Sequence, residues 1–237
     1  MAKPKKIINK PIVNKPLKPQ DLPYCFPQLG QDYWVGDDIL PNAVSVSERC
    51  FARAPQHWTL GFPWRNETWP GMRSPDGLLP TELTLIEDWV KAQTGATKLW
   101  QVVTPEGASL SHNYIQLVGG QESGARPHTD SRKLCHYAAV IYLAPNAPAH
   151  CGTSFYRLRL PDGTLSGNIC PPPYANLREA LGIQGLPIEA WKEDLTVPNK
   201  FNRILLYRAN LIHSASAYFG QAHRDKRMTI VFFWMAA

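Results

Sequence analysis

The sequence predicts a mainly β fold with supporting helices, built on a double-stranded β-helix of the cupin-like jelly-roll kind. The 22 prolines among 237 residues favour many loops and disfavour a helical bundle. From residue 97 onward, short segments rich in β-branched and aromatic residues alternate with turn signals. The length of 237 residues is enough for one β domain with a full hydrophobic core.

The first 20 residues are expected to form a disordered basic tail. Lysines and prolines alternate there without a core pattern and without any acidic residue. The tail lysines are Lys3, Lys5, Lys6, Lys10, Lys15 and Lys18. They account for most of the net charge of +6, so the rest of the chain is close to neutral. An alternative role for this tail is a docking arm for an acidic partner or substrate.

Charge and cysteine usage exclude several classes of protein. A nucleic-acid interface needs basic residues clustered on a folded surface, so nucleic-acid binding is not expected. No apolar run has the length of a membrane span, and no apolar stretch follows the N-terminal lysines as in a secretory signal. The five cysteines lack a CxxC pair, which favours free thiols and a cytoplasmic location. They are Cys25, Cys50, Cys135, Cys151 and Cys170.

Residues 21–237 are expected to form a single domain, with a support region at 21–98 and the jelly-roll core at 99–237. The support region contains many aromatic residues among prolines and one clear helix, from Thr81 to Gly95. Thr81 is the expected N-cap, and Gly95 ends the helix. The apolar stripe of this helix consists of Leu83, Ile86, Trp89 and Val90.

The core segments are expected to be short strands. They are Leu99 to Val103, Tyr114 to Val118, Tyr137 to Leu143, Thr153 to Leu158, Arg203 to Tyr207 and Met228 to Trp234. Residues 161–200 interrupt this rhythm with three consecutive prolines and a short helix near Ala175 to Leu181. We expect an insertion over the mouth of the barrel there, where such a loop would shape substrate access.

Three residues have the spacing of a metal site. In a strand, side chains two positions apart share a face, so His128 and Asp130 point the same way. His213 follows a later apolar strand, and a jelly roll brings such distant strands together. Two imidazoles and one carboxylate can occupy one face of a non-haem iron(II) and leave the other face open. His223 is the alternative to His213 as third ligand.

An arginine near the C-terminus is suited to bind a carboxylate. Arg227 opens the last apolar strand and shares a face with Thr229. A guanidinium with a neighbouring hydroxyl can donate several hydrogen bonds to a carboxylate group. Arg224 and Lys226 are the alternatives, but their phase does not match Thr229 and the apolar strand.

Together these motifs resemble the iron(II)/2-oxoglutarate-dependent oxygenases, and within them a bacterial group related to prolyl hydroxylases. The resemblance covers about residues 110–237, and more loosely the Pro-Gly-Met-Arg stretch and the helix after it. The matching segments are Arg126 to Ser131, Ala139 to Leu143, Cys151 to Arg157, Asn202 to Tyr207, Asn210 to Ser214 and Arg227 to Thr229.

The resemblance implies further residue roles. His128, Asp130 and His213 would be the catalytic iron ligands, and Arg227 with Thr229 would bind 2-oxoglutarate. Tyr142 resembles the tyrosine that donates to the distal 2-oxoglutarate carboxylate in prolyl hydroxylases. A second tyrosine of those enzymes is replaced here by Val118. The alternative candidates on that side of the pocket are Tyr114 and Gln116.

The implied activity is that of a dioxygenase using iron(II), 2-oxoglutarate and O2 to hydroxylate an unactivated C–H bond, with release of succinate and CO2. The substrate class is an amino acid, free or within a peptide, and natural-product biosynthesis is a plausible setting. Halogenases of this superfamily replace the carboxylate ligand by a small residue. Because Asp130 is retained, hydroxylation or desaturation is favoured over halogenation.

Two other functions stay open. The first is an oxygenase acting on a protein or nucleic-acid target that docks through the basic tail. The second is a non-catalytic jelly-roll module that binds a metal or a carboxylate. Arg126, Arg157 and Arg159 are candidates for meeting an anionic substrate group near the mouth.

Overall fold

The computed structural model describes residues 14–183 and 185–237 and has the mainly β architecture that the sequence predicts. The strands in these ranges are β1 (Tyr33–Gly36), β2 (Thr59–Leu60), β3 (Met72–Ser74), β4 (Leu99–Trp100), β5 (Tyr114–Val118), β6 (Tyr137–Tyr142), β7 (Thr153–Leu158), β8 (Trp191–Val197), β9 (Arg203–Arg208), β10 (His213–Ala215) and β11 (Arg227–Ala236). The α-helices there are α1 (Ala43–Phe51), α2 (Pro80–Thr94) and α3 (Leu177–Leu181). Among the described helices, none combines the length and apolarity needed to cross a bilayer.

In the described part of the chain the strands form two antiparallel sheets. The main sheet has the order β1-β9-β6-β11-β5-β3-β2, with β4 also paired to β11. The small sheet has the order β10-β7-β8. Strands far apart in sequence are neighbours in both sheets, which is the long-range pairing of a jelly roll. The predicted double-stranded β-helix is therefore confirmed.

The outer face of the main sheet packs against α1 and α2. Alternate residues of the central strands, such as Ile141, Ile204 and Ile230, are fully buried on this face. They contact Val46 of α1 and Ile86 of α2 in one apolar cluster. The two helices therefore brace the sheet from outside and leave its other face free for the small sheet.

The inner face of the main sheet packs against the small sheet. Leu205 and Tyr207 from the main sheet form one cluster with Phe155 and Val197 from the small sheet. Because side chains alternate along each strand, Tyr142, Arg227 and Thr229 point into the same interior. The space between the sheets is where the polar residues of the site lie.

The N-terminal region contributes more to the barrel than a support region would. β1 pairs with β9, and β3 pairs with β5, so both are strands of the main sheet. Helix α1 was not predicted, although its buried positions 43, 46, 47, 50 and 51 follow the helical repeat, because the segment is only nine residues long. Its buried side includes the small residues Ala43, Ser47 and Cys50.

Helix α2 begins one residue before the predicted Thr81. Leu79 is the N-cap and Pro80 is the first helical residue. The carboxylate of Glu82, the third helical residue, accepts the Leu79 N–H at 2.8 Å, so the helix start is stabilised by this glutamate and not by a Thr81 hydroxyl. Gly95 ends the helix as predicted, with a left-handed φ of 74°.

The range 161–200, predicted as an insertion, also supplies a strand. Its last part is β8, which pairs with β7 in the small sheet. This edge strand was not predicted, because its sequence Trp-Lys-Glu-Asp-Leu-Thr-Val is rich in charged residues and several of its side chains face solvent. The predicted strand from Leu99 is shorter than expected and ends at Trp100.

Residues 1–13 of the predicted disordered tail lie outside the described residues. From residue 14 onward the chain packs against the rest of the domain. Leu17 donates its N–H to the Ala180 carbonyl at 2.7 Å, and the Lys15 carbonyl accepts the Tyr174 hydroxyl at 2.6 Å. The basic tail is therefore not disordered up to residue 20.

Candidate metal centre and co-substrate pocket

The backbone brings the three predicted metal ligands together. His128 and His213 form an antiparallel bridge in which each N–H donates to the other's carbonyl, at 3.0 and 2.9 Å. Asp130 is held two residues further on, where its N–H donates to the Ala209 carbonyl at 3.0 Å. His213 also begins β10, whose pairing with β7 anchors it to the small sheet.

The side-chain donor atoms form one compact group. One atom each from His128, Asp130 and His213 all lie within 4.8 Å of one another. Nε2 of His128 is 3.9 Å from Oδ1 of Asp130, and Nε2 of His213 is 3.6 Å from Oδ2. Two nitrogens and one oxygen at this spacing are the donor set that suits a non-haem iron(II) with open coordination positions.

Hydrogen bonds orient both imidazoles toward this group. Nδ1 of His128 contacts the Arg126 carbonyl at 2.8 Å, and Nδ1 of His213 contacts the Leu211 carbonyl at 2.9 Å. Nδ1 can bond a carbonyl only as a donor, so the Nε2 lone pair of each neutral ring faces the other ligands. Such second contacts fix the tautomer that a metal requires.

Burial keeps His213 neutral. Its pKa is lowered to about 4, because burial disfavours the charged ring and the neighbouring His128 adds to this effect. The Asp130 carboxylate acts in the opposite direction but does not outweigh the burial. Near neutral pH the His213 ring is therefore unprotonated and able to bind a metal.

Asp130 carries a buried oxygen without a partner. Its Oδ2 atom is inaccessible to solvent and accepts no hydrogen bond from the described residues. An orphaned buried carboxylate oxygen is costly unless a ligand supplies the missing interaction. The side chains of Asp130 and His213 are 10% and 5% exposed, whereas that of His128 is 56% exposed, so the centre opens on the His128 side. The residues present therefore fit a bound iron(II).

Arg227, Thr229 and Tyr142 come together on the inner face. Thr229 of β11 is directly paired with Tyr142 of β6, and the guanidinium carbon of Arg227 lies 5.4 Å from the Tyr142 ring centre. The hydroxyl of Thr229 is buried and has no hydrogen-bond partner among the described residues. A guanidinium beside an unused hydroxyl fits the carboxylate end of 2-oxoglutarate.

Backbone carbonyls hold the Arg227 guanidinium in place. Nε donates to the Cys151 carbonyl at 3.0 Å and Nη2 donates to the Gly152 carbonyl at 3.2 Å. These contacts leave donor capacity on the guanidinium for a further acceptor. The Tyr142 hydroxyl, in contrast, already donates to Thr153 Oγ1 at 2.8 Å. Tyr142 can donate to a ligand only if it releases Thr153.

The alternative residues take other places. Lys226 forms an ion pair with Glu122, and Arg224 lines a surface cavity beside α1. His223 contacts the Phe51 carbonyl at 3.2 Å and packs edge-on against the Trp58 ring.

On β5, Gln116 is in register with Thr229, whereas Tyr114 is in register with Val231. Gln116 is therefore the candidate of this pair that lies in the same row as the proposed co-substrate residues. Val118 is in register with Arg227 and is fully buried.

The sequence interpretation missed two residues near the centre, Arg73 and Tyr218. Arg73 lies on β3 in register with Gln116, and the Tyr218 ring centre is 5.7 Å from the Arg227 guanidinium carbon. The Pro-Gly-Met-Arg stretch was a weak signal for Arg73. Nothing in the local pattern distinguishes a buried arginine from one on an exposed edge strand. Of the three arginines predicted near the mouth, Arg126 is the one that immediately precedes the HxD segment.

Comparison with known proteins supports the fold. No family model and no curated protein matches the sequence. Among solved structures, the non-heme alpha-ketoglutarate-dependent carbocyclase SnoK from nogalamycin biosynthesis matches at 12% identity over 94% of this chain and 87% of that chain, with a TM-score of 0.51.

Two further solved structures match at lower TM-scores. A prolyl hydroxylase from Trichoplax adhaerens, in complex with a hypoxia inducible factor peptide fragment, matches at 10% identity over 86% of this chain and 84% of that chain, with a TM-score of 0.49. HygX from Streptomyces hygroscopicus, with nickel, 2-oxoglutarate and hygromycin B bound, matches at 14% identity over 87% and 83% of the two chains, with a TM-score of 0.49. Since the SnoK match spans nearly the whole chain, the protein has the double-stranded β-helix fold of the iron- and 2-oxoglutarate-dependent oxygenases, the superfamily that its motifs resemble.

Proposed function

We propose that this protein is an iron(II)- and 2-oxoglutarate-dependent dioxygenase that hydroxylates an unactivated C–H bond of an amino acid or peptide residue. The observation that carries the proposal is the group of donor atoms from His128, Asp130 and His213, all within 4.8 Å of one another, together with the buried Thr229 hydroxyl, which has no hydrogen-bond partner in the described part of the chain. One ligand set for a metal and one for a carboxylate thus lie in the same interior.

The chain's own residues would divide the work as follows. His128, Asp130 and His213 hold iron(II), and Arg227 with Thr229 bind the far carboxylate of 2-oxoglutarate. When bound, iron(II) with 2-oxoglutarate and O2 supplies the oxidation of a C–H bond and releases succinate and CO2. The buried walls of the inner face exclude water from this chemistry.

Retention of Asp130 supports hydroxylation or desaturation over halogenation, since the carboxylate occupies the position that a halide would need. The open side at His128 supports access for a small molecule or a peptide side chain. The competing function is a non-catalytic module that binds a metal or a carboxylate. Such a module would need only one of the two ligand sets.

The direct test is an anaerobic titration of the apo-protein with iron(II) and then 2-oxoglutarate, following the visible metal-to-ligand charge-transfer band. We expect the band in the wild type. In Arg227→Ala the 2-oxoglutarate needed for half-saturation should rise about 10- to 100-fold, because a charged hydrogen-bonding group contributes roughly 1.5–3 kcal/mol.

Arg224→Ala is the matched control, since it removes a nearby arginine that faces the surface cavity beside α1. It should titrate like the wild type. If iron(II) binds but no band forms in the wild type, the co-substrate assignment is wrong, and the non-catalytic module becomes the better function.

A further inference from the structure

A second arginine, the half-buried Arg73, lies in the same row of the inner face as the proposed co-substrate residues. Across the main sheet, Arg73 of β3 is paired with Gln116 of β5, which is paired with Thr229 of β11. Neighbouring strands are about 4.8 Å apart, so the backbones of Arg73 and Thr229 are separated by about 10 Å. The Arg73 side chain therefore reaches the same interior from the far side of Gln116.

The Arg73 guanidinium is poorly satisfied. Its Nε atom is buried and donates no hydrogen bond to any of the described residues. Nη2 makes a long contact of 3.4 Å to Gln116 Oε1, and the guanidinium carbon lies 4.9 Å from the Trp69 ring centre. Within residues 14–183 and 185–237, no carboxylate is close enough to form an ion pair with it.

The guanidinium nevertheless stays charged. The pKa of Arg73 is lowered to about 10, because burial disfavours the charged form, and the Asp130 carboxylate acts in the opposite direction. Asp130 is the carboxylate with the largest effect on Arg73, but it is also the proposed iron ligand. A metal would use the Asp130 charge, so Arg73 would keep a positive charge with no ion-pair partner among the described carboxylates.

The surroundings of Arg73 combine charge with aromatic surface. Tyr218 lies close enough to Arg73, Arg126 and Arg227 for all three to affect its pKa. The Arg126 guanidinium carbon is 4.9 Å from the Phe62 ring centre. Phe62 and Trp69 belong to one loop, since the Phe62 N–H donates to the Trp69 carbonyl at 3.1 Å. The wall beside the metal centre therefore offers cations next to aromatic rings.

We propose that Arg73 binds a carboxylate of the substrate beside the metal centre, so that the substrate is a carboxylic acid with an apolar or aromatic portion. This assignment rests on the proposed function and narrows its substrate class to compounds with a free carboxylate group. The second possible source of a carboxylate is 2-oxoglutarate itself. Arg227 and Thr229 already provide for its far end, two strands away from Arg73.

The test uses the anaerobic iron(II)·2-oxoglutarate complex and a panel of free α-amino acids, their N-acetyl derivatives, and the carboxamide of each. A compound that binds beside the metal shifts the charge-transfer band without any turnover. We expect at least one acid to shift the wild-type band and its carboxamide to bind at least tenfold more weakly.

In Arg73→Gln, binding of that acid should weaken at least tenfold, while the 2-oxoglutarate titration stays within threefold of wild type. Arg73→Lys keeps the charge but loses the paired donors, so its affinity for the acid should lie between those of wild type and Arg73→Gln. It also provides a variant that preserves a cation if Arg73→Gln folds poorly. Arg53→Gln is the matched control. The Nε atom of Arg53 is likewise buried without a partner, but this residue lies just beyond α1.

Three results would overturn the assignment. If Arg73→Gln lowers the affinity for 2-oxoglutarate as much as Arg227→Ala does, the carboxylate that Arg73 binds belongs to the co-substrate. A normal wild-type band that no acid shifts would show that Arg73 binds no substrate carboxylate of this class. A missing wild-type band would instead reject the proposed function, and this assignment with it.

Discussion

At the residue scale, the inner face of the barrel carries three buried polar atoms that the proposed ligands would satisfy. Asp130 Oδ2, Thr229 Oγ1 and Arg73 Nε are all buried without a hydrogen-bond partner among the described residues. Leaving such a group unpaired costs about 1–3 kcal/mol. Three such atoms on the inner face mean that this interior is built for polar ligands rather than for stability alone.

Replacing Thr229 with valine tests the smallest of these groups. The substitution keeps the β-branched shape and removes the hydroxyl, so 2-oxoglutarate should bind about fivefold more weakly for a loss of about 1 kcal/mol. The free energy of unfolding should not fall, since the lost hydroxyl has no hydrogen-bond partner within residues 14–183 and 185–237. The charge-transfer titration and urea unfolding measure these two quantities.

Ser74→Ala is the control for Thr229→Val. Ser74 also has a buried hydroxyl to which the described residues offer no partner, but it is in register with Ile115 on the outer face. Its loss should leave 2-oxoglutarate binding unchanged. Equal 2-oxoglutarate affinities for wild type and Thr229→Val would remove Thr229 from the co-substrate pocket.

At the element scale, one carboxylate joins the two helices that brace the barrel. Glu82 Oε2 accepts the N–H of Leu79 at the start of α2 and a hydrogen bond of 2.5 Å from Arg49 of α1. Asn42, the N-cap of α1, donates to Glu82 Oε1 at 2.8 Å. The start of α2 is therefore capped from within its first turn and tied to α1.

The charge of Glu82 should make α2 sensitive to acid. Burial raises the pKa of Glu82, but the hydrogen bonds from Arg49, Leu79 and Asn42 outweigh it and hold the pKa below its ordinary value. A lowered folded-state pKa stabilises the fold above the unfolded-state pKa, and this stabilisation is lost as pH falls through the folded-state pKa. Glu82→Gln should therefore lower the free energy of unfolding by about 1–2 kcal/mol at pH 7.

Urea unfolding of wild type and Glu82→Gln at pH 7 and pH 3 measures this effect. The difference between the two proteins should shrink at pH 3, because this pH lies below the ordinary glutamate pKa of 4.5, where the stabilisation from a lowered folded-state pKa is already declining. Glu48→Gln, an exposed change on α1, is the control and should have little effect at either pH. A difference that is the same at both pH values would contradict the role assigned to the charge.

At the scale of the whole molecule, the segment before β1 wraps against the region between β7 and β8. The Pro19 carbonyl accepts the Ser166 hydroxyl at 2.6 Å, and Leu22 joins a cluster with Leu177 and Trp191. Residues 15–22 therefore help to hold the region between β7 and β8 in place. A deletion that tests the docking-arm alternative must stop before them.

Two deletions separate docking from folding. Removal of residues 1–13 should leave thermal unfolding unchanged. If the substrate is a small molecule, it should also leave unchanged the shift of the charge-transfer band on binding of the carboxylic acid. Removal of residues 1–20 should destabilise the protein by about 2–4 kcal/mol, because packed apolar surface and several hydrogen bonds are lost. If removal of residues 1–13 is already enough to abolish substrate binding, a macromolecular target docked through the tail is favoured.

Local sequence patterns predicted the elements and candidate ligands that depend only on residues close together in the chain. The strands Tyr114–Val118 and Thr153–Leu158 and the helix ending at Gly95 follow from alternation, periodicity and a C-terminal glycine. The donor pair His128 and Asp130 follows from the two-residue repeat of an extended chain. Whether the assigned metal and co-substrate residues act as proposed stays a prediction until the titrations are made.

Long-range pairing decided the rest. His213 meets His128 because their backbones pair directly in an antiparallel bridge, and Arg73 meets Gln116 because β3 pairs with β5. The register between strands depends on packing and hydrogen bonds across the whole sheet, which no local pattern contains. The sequence alone thus indicates the chemistry of the proposed iron ligands and the class of fold. The tertiary structure alone places Arg73 beside the metal centre and makes the tail after residue 13 part of the domain.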